Sequence, residues 1–404
     1  MAADPIAYIP YGAYWSTPFA RWQGALSHLH SLTFAAHVAN GAISKRAIDM
    51  ERIDFGVLGM TVPQKGCFYG LPWLTGQIGA AHIGGPTIMQ ACATGARIIS
   101  LAAREVASGS AKAAIVVAAD RVSNGPHIYY PAPTAMGGAG ASEDWVLDNF
   151  AKDPFAGVAM VQTAENVASK FQISRQAQDD VALMRRSQYD QALKDDAAFL
   201  KRFMDLPFDV PDARGRKTLA TLMGDDGVYP ANEEKLRALK PAIEGGSVSF
   251  GTQTHPADGN AAMVLTTRDN AASMATDKAV EVSVLGFGLA REEPAYMPAA
   301  PVPAAKKALA QAELSIADID IVTSHNPFAV NDLVFAKETG FPLDRMNPYG
   351  CSLVWGHPQG PTGLRSVIEL IEALAIKGGG YGLFQGCAAG DTAMAVVVKV
   401  ANRA

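Results

Sequence analysis

Apolar residues recur along the chain with two different periods. ALSHLHSLTFAAHVANGAI (25–43) and CATGARIISLAAREVASG (92–109) carry them three and four apart, as helices with one buried face do. IDFGVLGM (53–60) and AAIVVAAD (113–120) are short continuous apolar runs and read as buried strands. Helix and strand alternate, which predicts layered α/β architecture. The same order returns late in the chain. VPAAKKALAQAEL (302–314) precedes IDIVTSH (319–325), and GPTGLRSVIELIEALAIKGG (360–379) precedes YGLFQGCAAG (381–390). AISKRAIDMERIDFGVLG and AELSIADIDIVTSH match most closely: each is a helix end, an Ile-Asp pair and an apolar strand. The pattern predicts two similar α/β halves packed around one central site, although generic Ala-rich helices can match by coincidence.

Residues 121–248 interrupt this order. PAPTAMGGAGAS (131–142) is a Gly/Pro/Ala loop, and SRQAQDDVALMRRSQYDQALKDDAAFL (174–200) is a charged helical stretch. The expected division is a first half of residues 1–120 plus 249–275, an inserted loop domain of 121–248, and a second half of 276–404.

Composition narrows the function. A 404-residue chain that is 49% hydrophobic has enough apolar surface for two or three cores, which excludes disorder. A net charge of −5 and a pI near 5.9 give no broad attraction to nucleic acid or an anionic membrane. Cys67, Cys92, Cys351 and Cys387 lie far apart without metal-ligand spacing, so neither a zinc site nor a disulfide framework is expected. The N-terminal MAADPIAYIPYGAYW lacks the pattern of a secretion signal and no run is long enough to cross a membrane; a reduced, cytoplasmic protein is expected.

Four residues carry candidate chemistry. Cys92 stands among small residues directly before a helix, whose N-terminus favours a thiolate. His357, in a Gly/Pro-punctuated loop at the corresponding place of the second half, is a base that could take the thiol proton and leave an ion pair. Cys387 ends an apolar strand before a sharp turn, and His325 ends another in SHNPF, beside Asn326 and Asn331. Each has a plainer reading: a small buried thiol, a turn histidine, a helix cap. Arg214, Arg216 and Lys217 in DARGRKT are candidates for phosphate contact or simply solvated loop charges.

The ordered series of segments resembles the thiolase family over nearly the whole chain. WSTPFARWQGALSHL, the Cys92 region through AAIVVAAD, AENVASKFQISRQAQDDVALMRRSQYDQAL, SFGTQTHPADGNAAMVL, SHNPFAV, GHPQGPTGLR and GCAAGD follow one another as that family's segments do. The resemblance implies a five-layered αβαβα fold of two duplicated halves with an inserted loop domain, in a homodimer or homotetramer. It implies coenzyme A as co-substrate, an acyl-CoA substrate, no tightly bound cofactor and no metal, and leaves an accessory subunit open.

It also implies roles. Cys92 is the acylated nucleophile, His357 its base, and Cys387 the acid/base at the enolate carbon. His325 and His357 form one oxyanion site, and the backbone N–H groups of Cys92 and Ala389 a second. Met160, Thr254 and Phe328 contact substrate. The chain departs from the family pattern at HNPF, at Ala389 in place of a usual Gly, near Val228 in DDGVYP, and at Ala159. Phe68, Tyr69 and Trp73 leave room for a bulky or aromatic acyl group or are ordinary core residues. The alternatives are another condensing enzyme, of the ketoacyl or hydroxymethylglutaryl synthase type, or a non-catalytic lipid-transfer or scaffold subunit.

Overall fold

The computed structural model describes residues 2–402. Its main sheet has eleven strands. Along it run Ile321–His325, Gly380–Ala388, Thr392–Asn402, Val280–Arg291, Ala7–Ile9, Ala257–Thr266, Ala113–Arg121, Phe55–Gly59 and Thr87–Ile88, and two short strands pair with Ala257–Thr266 beside that path. Ala7–Ile9 joins two wings that repeat each other. In each wing a long antiparallel strand leads to a strand that pairs in parallel with the shorter apolar strand read from the sequence.

The duplication extends to single side chains. Asp54 accepts from the N–H groups of Lys112 and Ala113, where the parallel neighbour of its strand begins. Asp320 does the same at Tyr381 in the second wing. Each Ile-Asp pair therefore sets the register of its parallel strand pair.

Strand alternation makes the layers. Ala114, Val116 and Ala118 face the central core, whereas Ile115, Val117 and Ala119 face an outer core under the helix Ser31–Lys45. In the second wing Val396 and Val398 face inward, and Ala395 and Val397 face the helix Pro301–Gln311. The middle layer consists of Thr94–Ala107, after Cys92, and Gly360–Lys377, after His357. Helix, sheet, helix, sheet, helix is the five-layered αβαβα fold.

Two helices differ from the sequence reading. Residues 25–30 lie in turns before Ser31, because Ser27 and Leu29 N–H bond back three residues to Gly24 and Leu26. The charged stretch is helical over Arg175–Ala192 and then breaks, with Asp195 and Asp196 at positive φ. The segment inserted in the first wing, between Ala113–Arg121 and Ala257–Thr266, also joins the central core: Tyr189, Phe199, Leu200 and Phe203 pack there, and Asp225 forms a buried ion pair with Arg365 at 2.6 Å. The Arg365 guanidinium lies over the rings of Phe19 and Trp355, at 4.7 and 4.2 Å from their centroids.

The two middle helices touch through backbone. A Cβ on Gly95 would stand 2.4 Å from the Leu364 nitrogen and 2.6 Å from the Gly360 oxygen. Gly95→Ala should push the helices apart, lower stability by about 3 kcal/mol and separate Cys92 from His357. Thermal unfolding together with Cys92 acylation in the surviving folded fraction tests this: unchanged acylation would show that helix spacing does not set the site.

Candidate active site

Cys92 sits on a tight turn between the strand Thr87–Ile88 and its helix. Ala91 is held at φ 41°, a strained value for a residue with a side chain. Thr94 closes the turn, its hydroxyl accepting from Gln90 N–H at 2.8 Å and donating to Ala91 O at 2.7 Å. The thiol is thereby lifted into a cavity of about 810 Å³.

The opposite wall comes from the second half. His357 lies in the loop before the helix Gly360–Lys377, and its Nδ1 meets the Thr362 hydroxyl at 2.7 Å. His325 ends its strand beneath, fully buried, with Nδ1 3.0 Å from Ser352 Oγ. The two imidazoles stack with centroids 3.9 Å apart and planes 24° apart, and neither Nε2 has a protein partner. A ligating atom of Cys92, of His325 and of His357 all fall within 4.8 Å of one another. Among the described residues this is the one group of three or more His, Cys and carboxylate side chains with ligating atoms this close. Cys387 is buried behind them and accepts from Asn331 Nδ2 at 3.2 Å. Asn331 also caps its own helix by accepting from Phe328 N–H, so the cap and the site share one side chain.

Asp120 ties the two halves together beside the site. It accepts from Thr61 and Val62 of the first half and from Gly360 N–H at 2.9 Å in the second. Burial pushes its carboxyl up to about 7 against the pull of those donors.

Burial dominates the electrostatics. It raises the Cys92 thiol to about 11, while the N–H groups of Ala389 and of Cys92 itself, directed at the sulfur, pull the other way. It raises Cys387 as well, helped by the neighbouring Cys92. It lowers His325 to about 3 and, together with His325, lowers His357. Burial therefore favours the thiol over the thiolate and the neutral imidazole over the imidazolium.

Of the other residues read from the sequence, Met160, Thr254, Phe328 and Ala389 line the cavity with Cys92 and His357, whereas His325 and Cys387 lie behind its wall. Thr254 donates to Ser352 O, and its N–H donates to Pro327 O at 2.7 Å. Arg214, Arg216 and Lys217 are not brought to the cavity. They lie in an exposed turn ordered by Asp212, with Gly215 facing His37 of the outer helix. Phe68, Tyr69 and Trp73 also fall outside it. Phe68 is 96% exposed, Tyr69 73%, and Trp73 packs edge-on against His30. Trp145, Phe150, Phe155 and Phe250 supply the cavity's aromatic surface instead. Sequence reasoning missed Ser352, Thr362 and Asp120. Thr362 could have been suspected from its place in the first turn after His357; Ser352 carries no such signal.

A thiol, an imidazole and paired N–H donors at the end of an apolar cavity, with a second imidazole and a second thiol behind its wall, are the equipment of an acyltransferase. The model of the thiolase N-terminal domain matches residues 13–269 and that of the thiolase C-terminal domain matches residues 278–400, so the chain belongs to the thiolase family and is an acyltransferase of that family. Acetyl-CoA acetyltransferase of Escherichia coli is 28% identical over 96% of this chain and 97% of its own. The cytosolic acetyl-CoA acetyltransferase of Rattus norvegicus is 27% identical over 98% of each. Human mitochondrial 3-ketoacyl-CoA thiolase superposes with a TM-score of 0.88 at 24% identity, over 98% of this chain and 100% of that one.

Because the Cys92 thiol titrates well above neutrality, alkylation of Cys92 in the free enzyme should accelerate about tenfold per pH unit from about pH 7 to 9. Peptide mass mapping after brief iodoacetamide exposure measures it. A rate already flat below about pH 7 would reveal a standing thiolate.

Proposed function

We propose that the protein catalyses CoA-dependent thiolytic cleavage of a 3-oxoacyl-CoA, or the reverse Claisen condensation, through an acyl-Cys92 intermediate. The observation that carries this reading is the convergence of Cys92 and His357 at one end of the cavity, with a second thiol, Cys387, buried beside Cys92 behind the wall.

In the cleavage direction His357 takes the Cys92 proton as the sulfur attacks the 3-keto carbon. The Cys92 and Ala389 N–H groups receive the oxyanion; each such donor is worth about 3 kcal/mol. Collapse breaks the C2–C3 bond, leaves the acyl group on sulfur and sends the electron pair into a thioester enolate whose oxygen faces His325 and His357. The Cys387 thiol protonates C2 and acetyl-CoA departs. Incoming CoA gives its thiol proton to Cys387 and attacks the acyl-Cys92 thioester. The shortened acyl-CoA leaves, and the Cys92 thiolate regains its proton from His357.

Cavity composition supports an uncharged, bulky acyl group. The wall carries aromatic rings, Met89, Met160 and Met297, no lysine or arginine, and two carboxylates, Glu143 and Asp153, that disfavour an anionic acyl end. A homodimer or homotetramer, as in the family, completes the reading.

Cys92→Ala should abolish acyl-enzyme. Cys387→Ala should still acquire an acyl mass on Cys92 from an activated thioester but lose at least about 100-fold in carbon–carbon bond cleavage. Mass spectrometry and thioester loss with acetoacetyl-CoA, longer 3-oxoacyl-CoAs and aromatic analogues check both. Absence of acyl mass and of thioester loss in the wild-type protein with every substrate would overturn the proposal.

A further inference from the structure

His325 faces Cys92 and His357 with an Nε2 that has no protein partner, so what that nitrogen carries depends on its other ring nitrogen. Nδ1 meets one group, the Ser352 hydroxyl at 3.0 Å, and the proton on that hydroxyl is determined by its surroundings.

The chain of constraints begins at Asp332, which is ion-paired with Arg185 at 2.7 Å with both side chains fully buried. Asp332 accepts from Asn326 Nδ2 at 2.7 Å, which fixes the orientation of the Asn326 amide. Asn326 Oδ1 therefore points the other way, and it accepts from Leu353 N–H at 3.3 Å, a group that can only donate. The same Oδ1 stands 3.1 Å from Ser352 Oγ. Two oxygens at that distance need a hydrogen between them, and Oδ1 has none to give. The Ser352 hydroxyl must donate to Asn326.

One lone pair of Ser352 Oγ already receives Asn326 N–H at 3.1 Å. The remaining lone pair meets His325 Nδ1, which must then be the protonated nitrogen. The opposite tautomer would turn the hydroxyl toward Nδ1 and leave Ser352 Oγ and Asn326 Oδ1 facing each other without a proton, in a place sealed from water.

We propose that Ser352 is a positioning residue: with Asn326 it locks His325 in the Nδ1–H tautomer, so that Nε2 presents a lone pair to Cys92 and one thiol proton meets two acceptor nitrogens. The second acceptor is His357, which rests on the acyl-transfer reading above. Whichever imidazole receives the proton then turns an Nε2–H toward the enolate oxygen. The proton that leaves sulfur is thus the one that stabilises the leaving group, and it returns to Cys92 when the acyl group departs. His325 begins the cycle as an acceptor and donates only when the Cys92 proton has come to it instead of to His357.

The test uses the full-length enzyme labelled with 15N-histidine and a long-range proton–nitrogen correlation spectrum, with His325 assigned by its loss in His325→Gln. The expected wild-type spectrum has a pyridine-like Nε2 and a pyrrole-like Nδ1 at His325. Ser352→Ala should shift His325 toward the Nε2–H tautomer and slow the first acylation of Cys92 by acetoacetyl-CoA about tenfold with KM unchanged. Ser352→Thr, which keeps the hydroxyl, should restore both. A pyrrole-like Nε2 in the wild-type protein would overturn the proposal, and so would a Ser352→Ala spectrum identical to it. The wild-type spectrum decides even if Ser352→Ala does not fold. Absence of any acyl mass on wild-type Cys92 would overturn the acyl-transfer reading, whereas the tautomer is read from the spectrum alone.

Discussion

The helix that follows Cys92 and the helix that follows His357 approach each other until a glycine is the only residue that fits between them, and most of the site is a consequence of that contact. Both helices begin at the same end of the middle layer, so fixing their separation fixes how far the thiol stands from the imidazole. Asp120 reinforces the arrangement from one side by gathering N–H groups of both halves onto one carboxylate. Arg365 reinforces it from within, held by Asp225 and Glu369 and lying over two aromatic rings. Removing one partner from such a buried pair costs about 3–5 kcal/mol.

The reacting groups occupy a region that excludes charge. Burial raises both thiols and lowers both imidazoles, so all four groups are biased toward their uncharged forms. In the proposed reaction charge is created when a substrate carbonyl arrives, where the N–H groups of Cys92 and Ala389 are already aimed. The buried ion pairs of the structure, Arg185 with Asp332 and Arg365 with Asp225, frame the site instead of entering it. Preset donors in a dry pocket need little reorganisation during the reaction, which is the main advantage such a pocket offers.

The fold was legible because duplication wrote it twice: the Ile-Asp pair, the apolar strand and the following helix recur at matching places, and the structure gives each Asp the same task. Helix ends were less legible. Residues 25–30 keep a helical pattern but are held in turns by neighbours distant in sequence, among them Asp226, which accepts from Ala25 N–H at 3.2 Å. At the site, Cys92, His357, His325 and Cys387 stood out because reactive side chains beside turns and strand ends are conspicuous. Ser352 did not, and Asn326 stood out only as a neighbour of His325, since their importance lies in which atom donates to which, and that is decided by Asp332 and Leu353. The exposed aromatics and the DARGRKT cations lie away from the cavity for a related reason: a residue's chemistry says nothing about which surface of a layered fold it faces.

Cys387 shows what such enclosure means for hydrogen itself. Its thiol is 0% exposed, its amide partner Asn331 is equally buried, and Cys92 stands near it. In the proposed reaction an acyl group on Cys92 and a thioester above it would shield that sulfur further from bulk solvent. In the proposed reaction the hydrogen placed on the enolate carbon is the one Cys387 already held, and its replacement comes from the CoA thiol and not from water. The enzyme would then carry a memory of isotope from one turnover to the next, and deliver it always to the same face of the carbon.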